Sequence, residues 1–160
     1  MKKYAIIIVI ILSIFILDQV VKIWVTNNQT EISIITGILK LNYTENTGIA
    51  FGMLNKNMWQ VIITDILILY ILIRFLIRQI ENMSIMPKIS LSFIIAGGFS
   101  NFIDRIIRGK VIDYIDISQL INKFPVFNIA DVFIVIGFII FATTVLIDII
   151  KLKPRKLGGN

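Results

Sequence analysis

Four long apolar runs, separated by short polar stretches, dominate the chain. The first occupies residues 5–17 and continues past Asp18 and Lys22 to Val25, giving about 20 residues, enough to cross a bilayer as a helix. A second run covers 58–77, with Trp59 and Tyr70 among its aromatics and Arg74 and Arg78 near its far end. A third begins near Ile85 or Lys88 and runs to about Ile106; it is less apolar and carries Ser90, Ser92, Gly97, Gly98, Ser100 and Asn101. The fourth, 128–150, is followed by a basic tail over 151–160. Lys2 and Lys3 precede the first run as they would in a signal peptide. No small-residue cleavage site follows, so that segment reads as a retained helix.

Between the first two runs the pattern changes to alternation, in Glu31-Ile32-Ser33-Ile34 and again in Leu39-Lys40-Leu41-Asn42-Tyr43, with Thr36-Gly37 between them. That is the signature of a small two-stranded sheet lying on the membrane. The predicted fold is therefore an all-α membrane protein of four transmembrane helices with a small extracytoplasmic β-type loop region. The whole of 1–160 forms one polytopic domain with spans 5–25, 58–77, 88–106 and 128–150. An even number of spans puts both termini on one side, together with Lys2, Lys3, Arg74, Arg78, Lys88 and the basic tail. The excess of positive charge makes that side cytoplasmic. The connections 26–57 and 107–127 then face outward.

Composition narrows the chemistry. With 57% hydrophobic residues and a mean hydropathy of +0.88, the chain is too apolar for an ordinary soluble domain. The net charge of +6 sits mainly at the edges of apolar runs, which fits membrane topology and argues against nucleic-acid binding. Cysteine and histidine are both absent. Disulfides, thiolate metal sites and Ser-His nucleophiles are excluded, and proton transfer must fall to carboxylates, Lys or Tyr.

Ionisable groups at membrane depth are costly, so each needs a reason. Asp18 and Lys22 stand four apart and can pair on one helix face, either as a self-neutralising couple or facing a polar site between helices. Asp65 has no evident partner in sequence. The stretch Asn46-Thr47-Gly48-Ile49-Ala50-Phe51-Gly52 reads as a turn, or as a loop whose backbone closely approaches a ligand. Asn101 and Arg105 share a face at the end of the third span, and Asp104 lies off it. Asn128 and Asp131 have the spacing of a capping box at the start of the fourth helix, which alone could explain both. Asp113 lies in the loop feeding that helix. Two carboxylates held close share a proton, and such a pair can activate water and protonate a leaving amine, as in aspartic peptidases. Asp104, Asp113, Asp116 and Asp131 are all candidates, and spacing does not choose among their pairings.

Taken in order, these motifs resemble the bacterial lipoprotein signal peptidases, or signal peptidase II. The resemblance rests on Asp18-Gln19 with Lys22, on Asn46-x-Gly48-x-Ala50-Phe51, and on Gly97-Gly98-x-x-Asn101-x-x-Asp104-Arg105. Val111-Ile112-Asp113-Tyr114 and Phe127-Asn128-x-Ala130-Asp131 complete it. Ser100 stands where the family usually has Gly, and Ile49 and Tyr114 replace the commoner Ala and Phe.

The resemblance implies a four-helix enzyme of the bacterial plasma membrane, with its termini cytoplasmic and its active site toward the extracytoplasmic face. It implies cleavage of prolipoproteins before a diacylglyceryl-modified cysteine by an aspartic dyad matching Asp113 and Asp131. Asp18, Lys22, Asn46, Gly48, Asn101, Arg105 and Asn128 match its supporting and substrate-contacting positions. Arg105 and Asn101 would hold substrate backbone, Asn128 would orient the dyad, and the loop 46–51 would cover the site. No metal or organic cofactor is implied. The expected partners are lipidated prolipoproteins and membrane lipid, with the enzyme a monomer. The rival readings are a small proton- or ion-coupled membrane carrier, which would show proton flux in liposomes, and a structural scaffold, which would tolerate amide replacement of Asp113 and Asp131.

Overall fold

A computed structural model describes residues 2–29, 31–48 and 57–152. Ile49, Ala50 and Phe51 of the outer-loop motif, the covering role expected of that loop, and tail residues 153–160 lie outside the described residues. The element order is α1 (Lys2–Asn28), β1 (Ile32–Ile35), β2 (Leu39–Asn46), α2 (Met58–Gln79), α3 (Ile85–Arg108), β3 (Val111–Asp116) and α4 (Ile129–Leu152). Four helices among the described residues are long and apolar enough to cross a membrane, as the sequence pattern predicts.

The helix ends have local causes. α2 opens at Asn57, whose side chain accepts the Trp59 backbone N–H at 3.1 Å. α3 begins at Ile85, the earlier of the two expected starts, with Pro87 in its first turn, where a missing N–H costs nothing. It ends at Gly109, whose φ of +68° gives the left-handed cap that redirects the chain into β3.

α3 is the hub and packs on α1, α2 and α4. Aromatic pairs tie the bundle together: Phe15 with Phe99 at 5.4 Å across α1 and α3, and Phe93 edge-to-face with Phe133 at 5.0 Å across α3 and α4. At the end of the bundle nearest the termini the interior is apolar, built from Ile7, Leu76, Ile80 and Leu91. At the opposite end it is polar, and Asp18, Lys22, Ser100, Asp104 and Asn128 are all fully buried. The outward faces of α1, α2 and α4 are apolar and exposed, as at Ile8, Leu12, Ile16, Leu67, Phe138 and Ile139, and face lipid in a bilayer.

The sheet has three strands, not two, in the order β1-β2-β3 and antiparallel throughout. Asn46 of β2 lies opposite Val111 of β3, and Thr44 opposite Asp113. β3 escapes a reading by alternation because it is buried on both faces, with only Ile115 partly exposed.

Candidate active site

The site occupies the polar end of the bundle. Its base is an ionic cluster centred on Lys22, whose ammonium donates to Asp18 Oδ2 at 2.7 Å, Asp104 Oδ2 at 2.8 Å and Asn101 Oδ1 at 2.9 Å. All three of its protons are thereby used, which is what a buried ammonium requires. Asp104 also pairs with Arg108, one turn along α3, and accepts from Gln19 Nε2 at 3.0 Å. Asp18 takes the Ser100 hydroxyl at 2.7 Å, the Tyr114 hydroxyl at 3.2 Å and the Ala130 backbone N–H at 3.2 Å. Asp18 thus faces neither lipid nor solvent and binds α1 to α3, β3 and the start of α4.

Above this base stand two amides and two carboxylates. Asn101 accepts from Lys22 and donates to Asp131 Oδ1 at 2.8 Å. Asn128 donates to Asp113 Oδ1 at 2.7 Å and to Asn101 Oδ1 at 3.1 Å. Asn128 and Asp131 also form a reciprocal capping box. The Asp131 N–H donates to Asn128 Oδ1 at 2.9 Å, and the Asn128 N–H donates to Asp131 Oδ2 at 3.1 Å. Capping and carboxylate orientation are therefore the same set of bonds. Asn46 completes the arrangement by donating to Asp113 Oδ2 at 2.9 Å while its own oxygen holds the Gly48 N–H at 3.0 Å.

Of the four candidate carboxylates, two are committed elsewhere. Asp104 is in the ionic base. Asp116 accepts from Ser118 at 2.8 Å and from Asn42 at 3.2 Å, with Lys40 at 3.5 Å. Burial raises the Asp116 carboxyl, but the Ser118 and Asn42 donors and the Lys40 charge outweigh it and bring it down to about 2. Asp113 and Asp131 alone of the four line the cavity between α2, α3 and α4. Burial pushes the Asp113 carboxyl up to about 6, helped by the charge of Asp131 and opposed by its Asn46 and Asn128 donors and by Lys22.

That cavity, about 680 Å³, has polar groups at its sheet end and apolar walls that include Leu69, Leu72, Ile134 and Ile136. Asp65 and Arg105 also line it and form an ion pair at 3.0 Å, which supplies the partner that sequence alone did not reveal for Asp65. Arg105 donates a second bond to the Gly48 carbonyl at 3.2 Å, and its Nε is buried without a partner among the described residues.

Asn101, which the resemblance makes a substrate-holding position, has its amide engaged by Lys22, Asn128 and Asp131. Sequence reasoning missed Tyr114, Ser100 and Arg108 as members of the cluster. Only Arg108 had a local signal, its i,i+4 spacing from Asp104. Among the described residues no three His, Cys, Asp or Glu side chains stand together as a metal site.

Comparison with known proteins places these features in context. A family model described as signal peptidase (SPase) II matches residues 10–147. The lipoprotein signal peptidase of Clostridioides difficile strain 630 is 39% identical over 142 residues, 87% of this chain and 93% of the relative. That of Staphylococcus aureus strain JH9 is 32% identical over 161 residues, 98% of each. A solved bacterial membrane enzyme, determined by the in meso method at 2.3 Å resolution, superposes with a TM-score of 0.86 at 31% identity. The match covers 96% of this chain and 94% of that one.

Proposed function

The chain belongs to the signal peptidase II family, and on that premise we propose that it is an aspartic endopeptidase that removes signal peptides from prolipoproteins, with Asp113 and Asp131 as its dyad. The observation carrying the assignment of the dyad is that these two carboxylates line one cavity and are joined by the Asn101–Asn128 amide bridge.

In the first step the ionised carboxylate takes a proton from water, and the resulting hydroxide oxygen bonds to the scissile carbonyl carbon. The protonated carboxyl donates its proton to the carbonyl oxygen as negative charge develops there. In the second step the tetrahedral intermediate collapses. The carbon–nitrogen bond breaks, the amine nitrogen takes the proton collected from water, and the other carboxyl regains its own. The products are a signal peptide with a free carboxyl and a protein whose N-terminal cysteine bears a free amine. Two carboxylates sharing one proton start and finish the cycle in the same state.

The cleavage site precedes a diacylglyceryl-modified cysteine. The acyl chains lie along the apolar walls between α2, α3 and α4 and the peptide bond lies at the polar end, a division matched by the lining of the cavity. Arg105, already holding Asp65 and the Gly48 carbonyl, lines the cavity and has further guanidinium N–H groups for substrate backbone. The protein acts as a monomer in the bacterial plasma membrane, with both termini cytoplasmic and the dyad toward the extracytoplasmic face. Charge supports that orientation. Arg74, Arg78, Lys88 and Lys151 occupy the terminal end of the bundle. At the sheet end Arg105, Arg108 and Lys110 are each paired with an acid: Asp65, Asp104 and Glu45. Neither family membership nor this polar cluster at one end favours a proton- or ion-coupled carrier.

The test is a gel-shift assay with purified protein, a diacylglyceryl-modified precursor and its unlipidated twin. Cleavage of the lipidated form alone, lost in Asp113→Asn and in Asp131→Asn, is the expected result. Cleavage retained by either folded variant would overturn the dyad.

A further inference from the structure

Tyr114 follows Asp113 on β3, and its side chain is 1% exposed. Its hydroxyl donates to Asp18 Oδ1 at 3.2 Å and accepts the backbone N–H of Ile129 at 3.2 Å. Ile129 is the first residue of α4. The next N–H, of Ala130, goes to the same Asp18 oxygen at 3.2 Å, and the next, of Asp131, to Asn128 at 2.9 Å. The first turn of α4 is therefore fastened by three side chains in succession: Tyr114, Asp18 and Asn128. Tyr114 also donates its backbone N–H to the Phe127 carbonyl at 2.9 Å, so it grips the chain on both sides of Asn128. Burial and the neighbouring Asp18 charge push the phenol well above its ordinary range. It stays protonated, and so can donate and accept at once.

We propose that in this chain, which carries Tyr114 where the family more commonly has Phe, the Tyr114 hydroxyl positions the reacting groups: by tying the strand that carries Asp113 to the first turn of the helix that carries Asp131, it sets the spacing of the two carboxylates. The inference rests on the dyad assigned above. Removing the hydroxyl leaves the Ile129 N–H without an acceptor and takes a donor from Asp18, while the aromatic ring keeps its packing. The first turn of α4 then relaxes, and Asp131, two residues along, moves with it. Displacements well under an ångström between reacting groups cost rate steeply. The walls that hold acyl chains and the Arg105 donor are untouched, so substrate binding is preserved.

The experiment uses the full chain in liposomes with a diacylglyceryl-modified precursor peptide. Binding-competent molecules are counted with an analogue whose scissile amide is reduced to CH2–NH. For Tyr114→Phe, kcat per binding site falls at least about tenfold with KM within about twofold, since displacement of a reacting group lowers the rate at unchanged binding. In parallel, amide hydrogen exchange quickens over residues 128–132 and not along α1 or α3. A kcat per site equal to wild type overturns the proposal, as does a KM that rises while kcat holds. Exchange that quickens through all four helices, or a chain with no binding sites, also overturns it, because the hydroxyl then serves the fold. Asp131→Asn assayed on the same peptide separates the two readings. If that variant still cleaves, the dyad itself is wrong; if it is inactive while Tyr114→Phe runs at the wild-type rate, only the positioning role fails.

Discussion

Asn128 donates to the side-chain oxygen of Asn101 across 3.1 Å, and each of the two amides donates to a different carboxylate, Asp113 for Asn128 and Asp131 for Asn101. This bridge joins β3, α3 and the start of α4, and it fixes both carboxylates by the same contact. Asn128 serves the helix and the site at once, and the two services can be separated. Asn128→Ala loses the cap and should cost about 1 kcal/mol of stability. Asn128→Ser restores the cap, since a serine hydroxyl can accept the Asp131 N–H, but it is too short to reach Asp113. Thermal unfolding should therefore place Asn128→Ser near wild type, while cleavage of a lipidated precursor falls by roughly a hundredfold or more in both variants. Recovery of activity with the cap would mean that capping is all Asn128 does.

The reach of sequence reasoning differs between the bundle and the site for physical reasons. Apolar length is a local property, so the four helices were legible, with ends set by details such as Pro87 and Gly109. β3 was not legible as a strand, because burial on both faces removes the alternation that betrays β1 and β2. Asp18 and Lys22 could be paired from their spacing, but the second carboxylate on Lys22, Asp104, lies some eighty residues away on another helix. Asp65 and Arg105 likewise meet only through the packing of α2 on α3. Among the four carboxylates near the sheet end the local sequence is uninformative: Asp104 and Asp116 differ from Asp113 in what tertiary structure brings to them.

The pH dependence follows from Asp113. Its carboxyl ionises near 6 in the folded protein against an ordinary value of 3.8, because burial disfavours the charged form. Between those values the folded state holds more proton than the unfolded one. Stability from this group is therefore greatest in acid and falls as pH rises to about 6, the reverse of a salt-bridged carboxylate. The same ionisation should appear in kcat/KM as a transition near pH 6. Asn46 donates to the ionised form, so Asn46→Leu removes support for the anion and should move that transition to higher pH. A pH–rate profile from about pH 5 to about pH 8 checks it; a transition unmoved, or moved toward acid, would show that Asn46 does not act on Asp113.

Lys22 tests the ionic base. It is fully buried and bonded to Asp18, Asp104 and Asn101. Lys22→Met keeps much of the volume but leaves the buried Asp18 without a cation and Asp104 with Arg108 alone, a loss of about 3–5 kcal/mol. The exposed Lys151 near the end of α4 is the natural control, and Lys151→Met should stay within about 0.5 kcal/mol of wild type. Unfolding in detergent micelles compares them directly. Equal effects would mean that the buried cluster is open to water in the membrane-bound protein.

The sharpest steric prediction concerns two adjacent glycines on α3. A Cβ built on Gly97 would overlap the backbone carbonyl oxygen of Ala130 and lie 2.7 Å from Ile134 Cγ1. A carbonyl in the first turn of a helix cannot step aside alone, so relief requires that the start of α4 withdraw from α3. That motion separates Asp131 from Asn101, now at 2.8 Å, and loosens the Ala130 N–H from Asp18. Gly97→Ala should therefore abolish cleavage to within about a hundredth of wild type and cost about 1–3 kcal/mol in stability. Gly98 faces the other neighbour: its nearest atom is Leu69 Cδ2 at 3.4 Å, the movable end of a side chain. Gly98→Ala should keep activity within about twofold, because α2 yields locally and carries neither carboxylate. The two variants add the same methyl one residue apart on the same helix, so helix propensity cancels between them. Comparable activity in both would mean that the close approach of Gly97 to Ala130 does not hold the carboxylates in place.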